Sequence, residues 1–186
     1  WDVMFRPACA DPRGMALVTH NQRGEAITPF WADIYLLNVN HVENGTSRAG
    51  AQIADGWSPP VKCDGEGHYK GLNWETAKEI LEHHGKAMLS DEDFRAAAFG
   101  GTEAKSRRGE PERAGFDDPE RDAPFTSRWG LIQATGCMWV HGTDGDPDIP
   151  RYTILGGSWG NGSNAGSRAS HWGDYPWSSD GVIGAR

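Results

Sequence analysis

Leu155 to Arg186 reads LGGSWGNGSNAGSRASHWGDYPWSSDGVIGAR. The stretch holds no Lys, Glu, Gln or Met, yet Trp159, Trp172 and Trp177 recur among Gly, Ser, Asn and Asp. Small adaptable polar residues around rigid aromatics are the composition of a recognition surface. Composition alone describes a Gly/Ser-rich loop without a role equally well. The first part also alternates. If residues 157–165 are extended, Ser158, Gly160, Gly162 and Asn164 point one way, while Trp159, Asn161 and Ser163 point the other. The small polar set then faces a partner and Trp159 faces the core.

Upstream, two stretches carry helical signals. Asn73 caps a helix running to Lys86, with Ala77, Ile80 and Leu81 as one apolar stripe and Gly85 as the stop. Ser90 and Asp93 fit a capping box for a shorter helix whose apolar face is Phe94, Ala97 and Ala98, ended by Gly100-Gly101. Phe30 to Leu37, Leu131 to Val140 and Tyr152 to Leu155 read as strands. Thr102 to Pro124 mixes charges with Gly and Pro and offers almost nothing apolar to bury, so a long solvated surface loop or a partly disordered insertion is expected there. Two helices followed by short strands and long connections indicate an α+β domain of loops on a rigid frame. One domain spanning 1–186 is expected, with 1–154 as scaffold, the insertion at about 102–124, and 155–186 as the recognition stretch.

The chemistry this composition excludes is broad. A formal charge of −8 argues against nucleic acid, which needs a basic stripe. No apolar run approaches a membrane span, so no insertion into a bilayer is expected, and no signal peptide is visible. The chain opens on Trp1 rather than Met, so a fragment or a processed product is expected. Cys9, Cys63 and Cys137 are an odd, widely spaced set with neither a disulfide framework nor a zinc pattern. Cys137 reads as a small buried hydrophobe. His20, His41, His68 and His141 lack ligand spacing. Glu82, His83 and His84 offer an acid–base pair, against which stands a structural role at a helix end. Asp144, Asp146 and Asp148 are the metal candidates: alternating carboxylates with Gly145 suit Ca²⁺, and an acidic turn without metal is the other reading. No cofactor is otherwise indicated.

Two resemblances narrow the fold. Gly130-Leu131, Gly136-Cys137-Met138-Trp139, Gly156-Gly157-Ser158-Trp159, Arg168-Ala169, Pro176 and Gly184-Ala185-Arg186 resemble the formylglycine-generating-enzyme type of C-type lectin-like fold. A second set covers nearly the whole chain: Trp1-Asp2, Phe5 to Ala8, Asp11 to Met15, Phe30 to Leu37, Val39-Asn40-His41, Gly45 to Ser47, Ile53 to Gly56, His83 to Lys86, Ala98 to Gly100, Thr102 to Ala104, Phe125 to Ser127 and Trp129-Gly130. These runs resemble the lectin domain of the major tropism determinant family, receptor-binding tips of phage tail fibres diversified by a retroelement that mutates adenines.

The resemblance implies a homotrimeric virion protein at the extracellular fibre tip whose partner is a bacterial cell-surface protein or glycan. It implies variable positions at Ser158, Gly160, Gly162, Asn164, His171, Gly173, Asp174, Ser178 and Asp180, with Val182 and Ile183 added. Each is a residue that adenine mutagenesis of Asn-type codons yields. It places Trp139, Trp159 and Trp172 at fixed core positions with satisfied indole N–H groups, and Arg168 in the frame. Trp177 lacks a fixed counterpart and is expected at the binding surface. Ser158→Tyr and Asn164→Asp are accordingly expected to cost little stability. Three departures stand out: no fibre shaft ahead of Trp1, no short tail after Arg186, and differing content at Val18 to Thr28, read as a peripheral loop, and after Thr102.

Two alternatives remain. One is a diversified ligand-binding protein displayed by a bacterium. The other is an oxidase of the formylglycine-generating type, which needs paired reactive cysteines near the carboxyl end. None lies between Trp159 and Arg186, so thiolate chemistry has nothing to act through and no enzyme is expected.

Overall fold

The computed structural model describes residues 8–9, 11–116, 118–146 and 151–186. Trp1, Asp2, Phe5, Arg6 and Pro7, which carry part of the resemblance, lie outside the described residues, as does Asp148.

Strand β1 (Met15–His20) pairs antiparallel with β2 (Ala26–Asp33). The link between them is a turn rather than a peripheral loop. Asn21 Oδ1 accepts from the Arg23 and Glu25 amides at 2.9 and 3.0 Å, and Gly24 takes φ +79°. An asparagine that binds its own backbone ahead of a glycine is turn chemistry. Val18 is fully buried within the stretch expected to be peripheral. The strand expected through Leu37 stops at Asp33. Beyond it the backbone bonds elsewhere, with Ile34 N–H donating to Gly14 O and Leu37 N–H to Ala185 O.

After the single turn of α1 (His41–Asn44) comes α2 (Trp74–His83). Asn73 caps it by accepting from the Thr76 amide at 2.9 Å. It ends three residues short of Lys86. Gly85, at φ +69°, donates to Glu82 O while Lys86 donates to Leu81 O, the paired bonds of a glycine C-terminal cap. Thr76, Ala77, Ile80 and Leu81 are buried along one face. In α3 (Asp91–Ala98) the Ser90 hydroxyl accepts from the Asp93 amide and donates to the Asp93 carboxylate, and Phe94, Ala96, Ala97 and Ala98 are buried.

The segment expected to be a strand from Leu131 to Val140 is mostly turns. Gly130, Gln133 and Gly136 all have positive φ, which breaks any extended run. Only its last two residues enter β3 (Trp139–Asp146). This strand pairs with β4 (Arg151–Leu155), which pairs with β5 (Ser170–Asp174); β6 (Ile183–Gly184) completes a sheet ordered β5-β4-β3-β6. The β3–β6 pairing is parallel, whereas β1–β2, β3–β4 and β4–β5 are antiparallel.

Two apolar clusters hold the elements together. One joins Val18, Leu36, Phe94, Leu131, Met138 and Leu155; the other joins Leu37, Leu72, Ile80, Leu81, Met88 and Ala185 beneath α2. The charged block after Thr102 is not a solvated loop. Arg107 and Asp122, the latter in the one-turn helix α4 (Pro119–Asp122), form a 2.6 Å ion pair at 2% and 0% exposure. Arg107 also donates to the carbonyls of Gly109 and Glu110. A charge pair so far from water stands only because its remaining donors are used. Ala114 and Pro111 are buried with it, so the block is folded against the domain. The charge pattern hid this because the buried partners lie fifteen residues apart.

Candidate functional site

The sequence from Leu155 onward turns sharply at Gly156 and Gly157, with φ of +92° and +78°. Neither position has room for a side chain. A Cβ at Gly156 would lie 2.7 Å from Phe94 Cζ, and one at Gly157 would lie 2.7 Å from Ala165 Cα and Cβ. Further along, a Cβ at Gly166 would run into the Glu103 carboxylate. Glycine is the only residue these close approaches admit.

Residues 157–165 are not extended. Ser158 makes a single parallel bridge to Cys137, a tight turn follows at 159–160, and Gly162–Asn164 form a 3-10 turn. Asn161 Oδ1 accepts from both the Ser158 amide at 2.8 Å and the Ser158 hydroxyl at 2.6 Å. Glycine, serine and asparagine fold locally onto one another here, which side-chain alternation cannot register. The alternation therefore does not decide which residues face outward.

Two residues of the charged block tie this loop down. The Ser106 hydroxyl donates to Trp159 O at 2.9 Å and accepts from the Gly162 amide at 3.0 Å. Glu103 accepts from the Ser167 hydroxyl at 2.5 Å and from the Ser167 amide at 3.1 Å, while Ala104 N–H donates to Ala165 O. Sequence reasoning missed both roles. Glu103 lies within a family-like run, Thr102-Glu103-Ala104, but nothing in its type marks a loop clamp.

On this frame the expected variable positions divide. Gly160, Gly162, Asn164, His171, Trp177 and Asp180 are exposed; Gly173, Asp174, Ser178 and Val182 are half-buried. Ser158, at 3%, and Ile183, at 5%, are buried. Ser158 is enclosed beside Asn161, and Ile183 sits in β6 against β3, so neither stands on an exposed face. Tyrosine at Ser158 has no free surface to occupy, contrary to the low cost expected of it. Arg168 is exposed.

The tryptophans also redistribute. Trp159 packs partly buried against the core, but its Nε1 is buried with no hydrogen-bond partner among the described residues, contrary to expectation. Trp139 is half-buried. Trp172 is 51% exposed rather than core: it lies in β5, the edge strand, and its indole N–H reaches the Ser170 hydroxyl at 3.3 Å. Trp177, at 64%, is exposed as expected.

Around them the structure adds residues that the sequence did not single out. Tyr175 stacks on Trp177 with centroids 4.8 Å apart. Arg151 lies over the Tyr175 ring at 4.6 Å, donates to its hydroxyl at 2.9 Å and holds Gly173 O at 2.9 Å. Tyr175 thus contacts both the Arg151 guanidinium and the Trp177 indole, which ties the aromatic pair to β4. Trp57, 67% exposed, comes from a distant loop and lies against Gly181. Its flanking sequence, Gly56-Trp57-Ser58-Pro59-Pro60, is a turn signal carrying an aromatic, the one hint available beforehand.

The titratable candidates serve the frame. His41 is fully buried; its Nε2 is 2.6 Å from Val61 O and its Nδ1 3.0 Å from His84 Nε2. Burial lowers the pKa of both rings, so the pair holds together as neutral imidazoles. His141 is buried and pushed down to about 4 by desolvation. Cys137 is buried, which drives its thiol pKa far up. Asp144 uses its carboxylate to accept from the Asp91 amide at the start of α3. Among the described residues no group of three metal-ligating side chains converges. Arg186 is buried against Ile132 O at 2.6 Å, and burial brings its guanidinium down to about 10.

No protein-family model matches the chain. It is 38% identical to the tail fiber receptor-binding protein of Bordetella phage BPP-1, over 100% of this chain and 54% of that protein. Among solved structures it matches the Major Tropism Determinant U1 variant with a TM-score of 0.87 and the M1 variant with 0.86. Both are 38% identical, and both alignments cover all of this chain and 54% of the other. The chain thus spans about half the length of the relatives it matches, and its fold is the C-type lectin-like one expected from sequence.

Proposed function

Because the chain belongs along its whole length to the major tropism determinant family, we propose that it is the receptor-binding domain of a phage tail fibre. In this reading it acts at the virion's fibre tip and recognises a protein or glycan on a bacterial cell surface. The observation that carries the reading is the division within residues 155–186. Gly156, Gly157, Ala165, Gly166 and Ser167 are buried and clamped, while Gly160, Gly162, Asn164, His171, Trp177 and Asp180 stand exposed. Side chains at the exposed positions change without disturbing what lies beneath them, which is what a retroelement-diversified surface requires.

The role is binding by a preset surface. Little backbone ordering is left to be lost on contact when the loop is already hydrogen-bonded to Ser106 and Glu103. A homotrimer would present three such faces, so modest single-site affinity would add up to useful avidity.

The test is binding of the fluorescently labelled protein, presented as an oligomer, to a panel of bacterial cells. A copy with Asn164, His171, Asp174 and Asp180 all replaced by alanine runs beside it. Binding to one host that the altered copy loses or redirects supports the reading. Equal binding by both copies overturns the assignment of this face.

A further inference from the structure

Trp57 lies outside the variable stretch, yet the fold delivers it there. Its ring rests on Gly181, where even a single Cβ would overlap the indole. Gly56 N–H donates to Asp180 O at 3.0 Å, and Asp55 Oδ1 accepts from the Trp57 and Ser58 amides at 2.6 and 2.7 Å. The aromatic is therefore held in one orientation from below and from its own turn while remaining 67% exposed. A rigid, exposed indole is the economical form of a binding anchor, since little side-chain freedom is lost on contact.

The surroundings give the anchor a sign. Beside Ser58 runs a groove of about 350 Å³ lined by Asp55, Ser58, Glu110 and Glu112. Arg113 also lines it, but donates to Gly50 O at 3.0 Å. Glu110, Glu112 and Asp180 are exposed, and none of them forms an ion pair among the described residues. Their charges are felt mutually. The Glu110 carboxyl is raised by burial and by Asp55 and Glu112, and Asp55 is raised by burial with a further push from Asp180. A formal charge of −8 on the whole chain adds to this field. An anionic partner would be repelled. A neutral sugar would leave the carboxylates uncompensated, whereas a basic side chain relieves them and stacks on the indole.

Resting on the reading of this face as a receptor-binding face, we infer that Trp57, with the carboxylates of Glu110 and Glu112, is a scaffold-supplied arm of that face that takes a lysine or arginine side chain of a protein partner. This arm stays the same whatever the variable residues become. It gives every variant a common point of attachment, continuous with residues 179–181.

The test is an NMR titration of the ¹⁵N-labelled protein, with the Trp57 indole N–H assigned by Trp57→Phe. The probe is the blocked peptide Gly-Lys-Lys-Gly; Gly-Glu-Glu-Gly and maltohexaose are the controls. The lysine peptide should shift the Trp57 resonance saturably, and neither control should do so. The apparent affinity should fall at least about fivefold in E110Q/E112Q, and also when salt is raised from about 50 to about 300 mM. Both substituted side chains are exposed, so the variant folds. No saturable shift, an equal shift with either control, or unchanged affinity in E110Q/E112Q overturns the inference. Failure here leaves the cell-panel result for the variable face standing. Failure of the cell panel leaves the peptide titration readable.

Discussion

Gly156 and Gly160 lie four residues apart in the same glycine-rich run and face opposite constraints. A Cβ at Gly156 meets the Phe94 ring at 2.7 Å, whereas one at Gly160 meets only the Ser158 hydroxyl at 3.9 Å. Gly156 also sits at φ +92°, in the region that side chains avoid. The two are chemically identical; what lies behind each decides whether the position is frame or face. Tolerance to substitution is therefore a property of the packing beneath a residue rather than of the residue or its neighbours in sequence.

The largest effect that would break this contrast belongs to Gly156→Val. Positive φ and overpacking against a fully buried Phe94 act together, for a loss of about 3–5 kcal/mol. Denaturant melts should show a native state that is marginal or absent, and a variant as stable as wild type would mean the hinge is not fixed.

Acid attacks the frame next. His141, held neutral with its pKa at about 4, lies well below the ~6.5 of an unfolded histidine. Between those values the unfolded chain binds a proton that the folded chain refuses. Stability is therefore intact above about pH 6.5 and falls as pH drops toward 4, by about 2–3 kcal/mol from this residue alone. His41 and His84, shifted in the same direction, steepen the slope. Urea melts at pH 7, 5.5 and 4.5 measure it, and His141→Gln should flatten it.

The smallest effect sharpens the contrast from the other side. Asn164→Tyr, on the exposed 3-10 turn, should change stability by less than about 0.5 kcal/mol. In the cell panel it should nevertheless alter which host is bound. A melting shift comparable to that of Gly156→Val would erase the division between frame and face.

Both longer helices were legible because their ends are written locally: Asn73 and Ser90 cap them, and Gly85 stops one. The exposure of Trp177 was also legible. Its neighbour in type, Trp172, was misplaced because an edge strand leaves one flank of β5 open, and strand order is not a local property. Ser158 was misplaced because its closure onto Asn161 is a side-chain-to-backbone fold that imitates alternation in sequence. The buried pair of Arg107 and Asp122 was invisible for another reason: a charge run reads as solvated until its distant partner is known. Trp57, Glu103 and Ser106 reach the site from more than 50 residues away in sequence, so their proximity is a product of tertiary structure alone.

The short parallel pairing of β6 with β3 sets the boundary conditions of the whole C-terminal segment. β4 borders one side of β3 and β6 the other, so the chain that leaves at Leu155 returns at Ile183 to the opposite flank of a single strand. Residues 156–182 are thus a closed excursion, fastened at both ends, paired with β4 through β5 and stitched by Ser106 and Glu103. For its unpaired stretches the entropic cost of closure grows only as the logarithm of their length, with a doubling adding about 0.6 kcal/mol. Length is therefore free to vary only between the points where this excursion is fastened, while the enclosed glycines and β5 hold the rest in register.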